Sequence, residues 1–444
     1  MVFLLCSDNS ELSYVLQKNP ATGFVTHTLG KGLLVGWYTP NNENRIWCVT
    51  FIDAPNKSSF GAQNSESGDY LDYERFASPS LVPATIRNLL DHLLVDKHSE
   101  KVAQYDVRTR QALTICPIHL PRYKVEMDQN TAKAMGLDLV AESLPVQDDP
   151  HAQGPLFRIS ITATQMSVTD FIRRCYLLSL IWDNSIAYDN VKVDHAYAEK
   201  IGKIIASVDL PYFARKQLLL RLIGTNTKAV SQYLKYFEKP GLSLVAGTNA
   251  QIRQRFVEKH LSQCPAFNIL MDYGCGDRPC KKWRTYRADD EAGWLYIAVD
   301  KDEKVQEKMS KLESEMCKFC TGLDEARVVL EQSADQRLVI IATEVVEHLP
   351  PQEALPTLLA LLCTNPRMLI TTTPNRDFNV SYGFSPEQTR HIDHLKEYSE
   401  QEWSALVNGV LNECPDYQAM TIGIGDKVGQ HHNILGTVFE KRYP

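Results

Sequence analysis

Two hydrophobic patterns divide the chain. From Asn249 onward, short runs that are apolar along their whole length end in polar turns. Phe267–Tyr273 stops at Gly274, Trp294–Val299 stops at Asp300, and Arg337–Thr343 and Met368–Thr373 follow. Segments with helical spacing lie between most of them, including Asn249–Gln263, Lys304–Phe319 and Glu353–Leu362. Apolar strands alternating with helices predict a parallel sheet covered on both faces. The first half is patterned differently. Val2–Cys6, Gly32–Tyr38 and Ile46–Asp53 are strand-like, and Leu81–Leu94 has helical spacing. In Ser167–Trp182, the residues Val168, Phe171, Ile172, Cys175, Leu178 and Trp182 recur mostly every third or fourth position, which builds one apolar helix face. Ser167 and Asp170 resemble a capping box at its start. Tyr197–Ile205 and Pro211–Leu222 continue the helical pattern, so this half reads as an α+β region. The polar stretches Ala54–Asp69 and Gln147–Gly154 read as surface loops, and Lys239-Pro240-Gly241 as a breaker. The expected division is therefore 1–238, with an inner break near 150, and 239–444.

Composition narrows the classes. A chain of 444 residues is long enough for two or three domains of about 100–200 residues each. With 47 Lys and Arg against 54 Asp and Glu, the net charge is −7. That argues against coating of nucleic acid by bulk charge, which rests on many phosphate contacts. It leaves room for recognition of a single chain end. The apolar stretches Cys175–Trp182 and Leu355–Cys363 fall short of the roughly 18–20 residues of a membrane span. Met1–Cys6 meets Asp8 without a basic flank, so it reads as a first strand and not as a signal peptide. Eleven scattered cysteines, an odd number, point to reduced thiols and a cytoplasmic protein.

Ligands of open α/β sheets sit beyond the carboxyl ends of the strands. The first apolar run ends Met271-Asp272-Tyr273-Gly274-Cys275-Gly276-Asp277. Two glycines one residue apart allow a tight turn and close approach of a ligand. Pro279 stands where a dinucleotide fingerprint would have its third glycine, which disfavours NAD. Asp300 lies 24 residues after Gly276, where a carboxylate can accept from both hydroxyls of a ribose. This arrangement resembles the class I S-adenosylmethionine-dependent methyltransferases. The third run leads into Glu344-Val345-Val346-Glu347-His348. In a helical turn, Glu344, Glu347 and His348 would share one face. Carboxylates that close repel unless a cation or proton lies between them, and this ligand set suits Mg²⁺ or Mn²⁺. A solvated helix start, with acids favoured by the dipole, accounts for the same residues. Beyond the fourth run, Thr373–Asn379 and Arg390-His391-Ile392-Asp393-His394 lie at the same edge. Either histidine would complete a metal set or stand exposed, and spacing does not choose. Cys317 and Cys320 fit a helix face, on a different element from Cys275 and Cys280, which argues against zinc.

Glu-Val-Val-Glu-His-Leu at 344–349, Thr-Pro-Asn-x-Asp-Phe-Asn at 373–379 and Arg-His-x-Asp-His at 390–394 together resemble the RNA 3′-terminal ribose 2′-O-methyltransferases. The first half, through Leu12–Pro20, Tyr73–Ser80 and the helices after Val168, is similar to the bacterial, repair-associated members. The resemblance implies a Rossmann-like class I domain at the C-terminus. It implies Glu344, Glu347, His348 and His394 as ligands of Mg²⁺ or Mn²⁺, and Asp272, Gly274, Gly276, Asp300 and Ser333 at S-adenosylmethionine. Asn375, Arg390 and Asp393 would line the RNA end, with Arg376 as a further local positive charge. His348 and Glu347 would be the catalytic pair, working on a terminal ribose with a free 3′-hydroxyl. The stretch Leu395-Lys396-Glu397-Tyr398-Ser399 keeps the family's Glu and an aromatic but replaces its first Phe, and Tyr273 replaces a common Leu. As a partner, the resemblance implies an RNA-repair kinase-phosphatase/ligase, with 1–238 as the ligase-activating module of a hetero-oligomer. The alternatives are a methyltransferase for small molecules or proteins, and a chain that serves mainly as a binding partner.

Overall fold

The computed structural model describes the chain apart from residues 30–31, 41–42, 44, 53–76, 95–99, 121–128, 146–155, 183–194, 224–232, 265, 277–282, 284–292, 310, 312, 334–336, 386 and 443–444. The two expected polar loops, Ala54–Asp69 and Gln147–Gly154, lie outside the described residues, as do Pro279 and Cys280. The chain divides into two compact units, Met1–Glu238 and Lys239–Pro444. Among the described residues, no helix is long and apolar enough to cross a membrane.

The first unit is built on an antiparallel sheet. Its strands are β1 (Val2–Ser7), β2 (Phe24–Leu29), β3 (Gly32–Tyr38), β4 (Ile46–Ile52), β5 (Thr109–His119), β6 (Asp138–Ser143) and β7 (Leu156–Met166), in the order β2-β3-β4-β1-β5-β7-β6. Alternation sets the faces. Phe3 and Leu5, Trp47 and Val49, Leu113 and Ile115, and Ile159 and Ile161 are all buried and point to one side, as the period of two in a strand requires. Helix Val168–Trp182 is buried along almost every residue. The backbone N–H of Asp170 donates to Ser167 Oγ at 3.2 Å, half of the expected capping box. Asp106 takes the N–H of Val168 at 2.8 Å, satisfying another free donor of the first turn.

The second unit holds a mixed sheet. After the short β8 (Leu242–Ser243) come β9 (Ile269–Tyr273), β10 (Leu295–Val299), β11 (Cys317–Cys320), β12 (Leu338–Thr343), β13 (Met368–Pro374), β14 (Tyr417–Val428) and β15 (His431–Lys441). Their order is β11-β10-β9-β12-β13-β15-β14-β8. Neighbours from β11 to β13 run parallel, and β15 is antiparallel to both β13 and β14. This mixed, mostly parallel order fits the Rossmann-like sheet expected for this half. Two cores cover its faces. Ile269, Met271 and Ile340 pack with Leu330, Leu358 and Trp403 on one side, and Leu270, Tyr296 and Ile341 pack with Phe256, Leu261 and Met309 on the other. The expected helix over Lys304–Phe319 ends at Met309, and Cys317–Cys320 is an edge strand. The cysteine pair thus lies on no helix face. Chain order reverses between β9 and β12, opening a crevice at their carboxyl ends.

Candidate active site

The glycine loop leaves β9 on the crevice side. Gly274 and Gly276 have φ of +74° and +64°, in the left-handed region that favours glycine. No described atom lies within 4 Å of where a Cβ on Gly276 would stand, whereas one on Gly274 would come within 2.5 Å of Val345 Cγ2. Among the described residues Gly276 thus leaves space beside the loop, and Gly274 is the point of contact with the Glu/His turn. Asp300, at the end of β10, accepts the Gly276 N–H at 2.8 Å and the Asp302 N–H at 3.0 Å. These bonds fix its carboxylate beside the loop. Asp272 is buried and accepts a 2.6 Å bond from the Tyr296 hydroxyl. Burial pushes its pKa up to about 7, against the lowering effect of that bond, and Asp300 adds to the rise. Asp272 is thus an internal support beneath the loop.

The Glu/His turn follows β12 and is not α-helical. Glu344 sits at φ +56°, held by its N–H bond to the Thr372 carbonyl at 3.0 Å, and Val346–His348 form a single 3-10 turn. The one-face geometry expected of a helix is replaced by a kink that splits the two glutamates. Glu347 turns inward and is fully buried. Its Oε2 accepts from the Thr373 hydroxyl at 3.1 Å, while Oε1 is buried without a partner. Burial first, and the Glu344 carboxylate second, push its pKa well above the ordinary range. Glu344 turns the other way. Its Oε2 meets Arg253 Nη1 at 3.0 Å, and its Oε1 accepts from the Thr372 hydroxyl at 3.3 Å.

His394 arrives from the loop after β13. Glu347, His348 and His394 each offer one ligand atom, all within 4.8 Å of one another. Glu344 is not part of that group. The imidazole rings meet edge to face with centroids 4.9 Å apart. His348 Nδ1 lies 3.0 Å from the Asp393 carbonyl, and His394 Nδ1 lies 2.5 Å from Glu397 Oε1. A carbonyl or carboxylate on Nδ1 assigns the proton there and leaves each Nε2 with a lone pair, the usual orientation of metal-bound histidine. Burial of Glu397 tends to raise its pKa, but bonds from His394, Asn379 and the Arg390 N–H outweigh it, so the carboxyl stays below the usual range. A buried carboxylate with one unpartnered oxygen, grouped with two imidazoles, is a donor set that fits a divalent cation. A second convergence, Asp377, Glu400 and His431, is explained internally. Asp377 takes the Glu400 N–H, and Glu400 pairs with His431 and Asn375.

The residues expected to line the RNA end are placed otherwise. Asn375 is fully buried. Its Oδ1 caps the Asp377 N–H, and its Nδ2 donates to Glu400 and the His432 carbonyl. The Arg390 guanidinium donates to Asn379 Oδ1 and the carbonyls of Asn433 and Asn375, and stacks over Tyr382 at 5.0 Å. Arg376 is paired with Glu402 at 3.0 Å. These side chains build the loop that delivers His394. Asp393 is exposed and contributes its carbonyl to His348. Ser333 follows helix Leu323–Glu331, which returns the chain to the amino-terminal edge of the sheet, and its hydroxyl donates back to Val329. It lies at the wrong end of the strands to meet a ligand in the crevice. Sequence reading missed Arg253 and the supports Thr372, Thr373 and Tyr296. Only Glu397 carried a signal, its place three residues after His394.

Comparisons with known proteins bear on the family and the fold. A family model described as the Hen1 N-terminal domain matches residues 2–239. A small RNA 2′-O-methyltransferase of Caenorhabditis elegans is 36% identical over 80 residues, 18% of this chain and 18% of that protein. One of Drosophila melanogaster is 28% identical over 105 residues, 21% of this chain and 26% of that protein. The match thus spans about a fifth to a quarter of these relatives' length. Among solved structures, a chain in "Structure of the Pnkp1/Rnl/Hen1 RNA repair complex" superposes with a TM-score of 0.73 at 20% identity, covering 99% of this chain and 100% of that one. At that identity the likeness establishes the fold.

Proposed function

The chain belongs to the Hen1 family, and from that premise we propose that it transfers a methyl group from S-adenosylmethionine to the 2′-hydroxyl of the 3′-terminal ribose of RNA. The observation that carries the proposal is the convergence of Glu347, which has one buried unpartnered oxygen, with His348 and His394, two residues from the Val345 contact with the glycine loop. Donor cradle and cation set abut, as a transfer between them requires. Gly276 leaves room for the donor and Asp300 offers acceptors to its ribose. Glu347, His348 and His394 would hold Mg²⁺ or Mn²⁺, with Glu344 as the fourth ligand. Bound there, the ion supplies Lewis acidity toward the ribose hydroxyls.

The chain's own residues do the rest. Thr373 fixes one oxygen of Glu347, so the other is aimed inward. Asp393 and Glu397 fix the protonated nitrogen of each histidine, so Nε2 faces the site. Of the pair expected to be catalytic, Glu347 would take the hydroxyl proton, and His348, with Nδ1 protonated toward Asp393 and Nε2 given to the ion, would serve as base only while Nε2 is off the ion. The first unit is the module that would engage and activate an RNA-repair kinase-phosphatase/ligase. The description of the solved relative, an RNA repair complex containing Hen1, supports that assignment.

The test is tritium transfer from labelled donor to RNA ending in a 3′-hydroxyl, compared with 2′-deoxy and 3′-phosphate ends, with Mn²⁺ and with EDTA. Transfer to the first substrate alone, and only with metal, is expected. Equal transfer to the 2′-deoxy end, or transfer undiminished by EDTA, overturns the proposal. Failure of residues 1–238 to stimulate an RNA ligase from the same source would remove the partner role.

A further inference from the structure

Three ligand atoms stand assembled, and a fourth candidate is held elsewhere. Glu344 is turned away from the set by its backbone conformation and held there by two side-chain contacts. Its backbone is kinked into the left-handed region, Thr372 donates to one oxygen, and Arg253 engages the other at 3.0 Å. Arg253 comes from helix Asn249–Gln263 and is only 22% exposed, like its partner at 21%. A guanidinium on a carboxylate supplies the positive charge that a metal ion would supply, so the two compete for the same oxygen. Releasing Arg253 from Glu344 leaves a half-buried cation in need of an anion. The neighbouring turn residue, Val345, touches Gly274 of the glycine loop. The methyl donor that the glycine loop would hold carries such an anion, the carboxylate of its amino-acid arm.

We propose that Arg253 is a latch that withholds Glu344 from the metal until the carboxylate of the methyl donor draws it away, which makes donor and metal binding cooperative. The proposal rests on the reading of the site as a metal-dependent methyltransferase. Linkage requires reciprocity: whatever factor the donor adds to metal affinity, the metal adds to donor affinity. Arg253 is here a positioning residue, acting through Glu344 on one side and through the donor on the other.

The test is calorimetric titration of Mn²⁺ into the full chain, alone, with saturating S-adenosylhomocysteine, and with methylthioadenosine, which keeps the nucleoside and sulfur but lacks the carboxylate. In the unaltered protein, S-adenosylhomocysteine should tighten Mn²⁺ binding about fivefold or more, the lower end of ordinary coupling, and methylthioadenosine should leave it unchanged. In Arg253→Met, Mn²⁺ should bind the donor-free protein more tightly than it binds unaltered donor-free protein, and the effect of S-adenosylhomocysteine should vanish. Arg253→Lys should retain part of it. Equal Mn²⁺ affinity with and without S-adenosylhomocysteine, equal effects of the two nucleosides, or full coupling in Arg253→Met would each overturn the latch. The nucleoside comparison decides the matter without any variant. Absence of all Mn²⁺ binding would instead overturn the metal reading beneath it, and the latch with it.

Discussion

Glu347→Gln should make the protein sturdier without metal and blind to it. The carboxylate is fully buried with one oxygen unpartnered, and its pKa is raised by burial and by Glu344. A raised value means that folding favours the protonated acid. Its contribution to stability is present below the unfolded pKa near 4.5 and is lost as pH rises through the folded value. A neutral amide escapes that loss while still accepting from Thr373. Without metal, the variant should therefore unfold at a higher temperature than the parent at pH 8, with a smaller advantage at pH 5. Metal reverses the comparison. At a free Mn²⁺ concentration of about 100 times Kd, the parent gains roughly 2.7 kcal/mol. For a unit in the roughly 150–250-residue class, about 2–4 °C per kcal/mol, that is a rise of about 5–11 °C. The variant should show no rise. Calorimetric scans of both proteins with Mn²⁺ and with EDTA make the measurement. An Mn²⁺ shift retained in the variant would refute Glu347 as a ligand. A variant less stable than the parent in EDTA at pH 8 would refute the account of its burial.

Three further outcomes follow from the same geometry. Asp272→Asn should stabilise the protein at pH 8 relative to pH 5. The pKa of Asp272 rises from an ordinary 3.8 to about 7, so its stabilising share is lost as pH climbs through that range, by at most about 4 kcal/mol. Denaturant titrations at the two pH values should show the difference, and a pH-independent gap counts against it. Glu397→Gln should weaken Mn²⁺ binding about 10–100-fold with the histidines in place, read by calorimetry; unchanged affinity would mean that His394 needs no orienting partner. Asn375→Ala should cost roughly 2–4 kcal/mol of stability, because its cap and two further bonds serve buried groups. Loss of RNA affinity at undiminished stability would return Asn375 to the substrate surface.

Much of the second unit was legible because its central strands are buried on both faces and so read as unbroken apolar runs. Phe267–Tyr273 and Met368–Thr373 match β9 and β13 to within two residues. β11 was missed because four residues carry no alternation to speak of, and cysteines at 317 and 320 mimic a helical repeat. The β14–β15 hairpin was missed because Tyr417–Val428, near the sheet margin, is half-exposed and mixed in polarity. At the site, residue types were legible and conformations were not. Glu344 and Glu347 look equivalent in sequence. They are separated by a left-handed kink that depends on Thr372, a residue of the next strand. Arg253 lies 91 positions from its partner, beyond any local spacing rule. Arg390 and Asn375 have the polarity of substrate-binding residues, but the fold uses that polarity on its own carbonyls. Ser333 was drawn in by its neighbours in sequence, and helix direction carries it to the far edge.

The loop bearing His394 is fastened by hydrogen bonds of the chain itself. The N–H groups of Leu395 and Lys396 donate to the Glu347 carbonyl at 2.8 and 3.2 Å, and the Asp393 carbonyl faces His348. The conformational freedom of a long excursion between β13 and helix Glu400–Glu413 is thus surrendered during folding. Chelation would then behave as a reversible off-switch, leaving the scaffold standing and ready to reload. Sites whose ligands are gathered only by the ion lose their shape with it. An enzyme arranged in this way can sit idle through periods of metal scarcity and resume work without refolding.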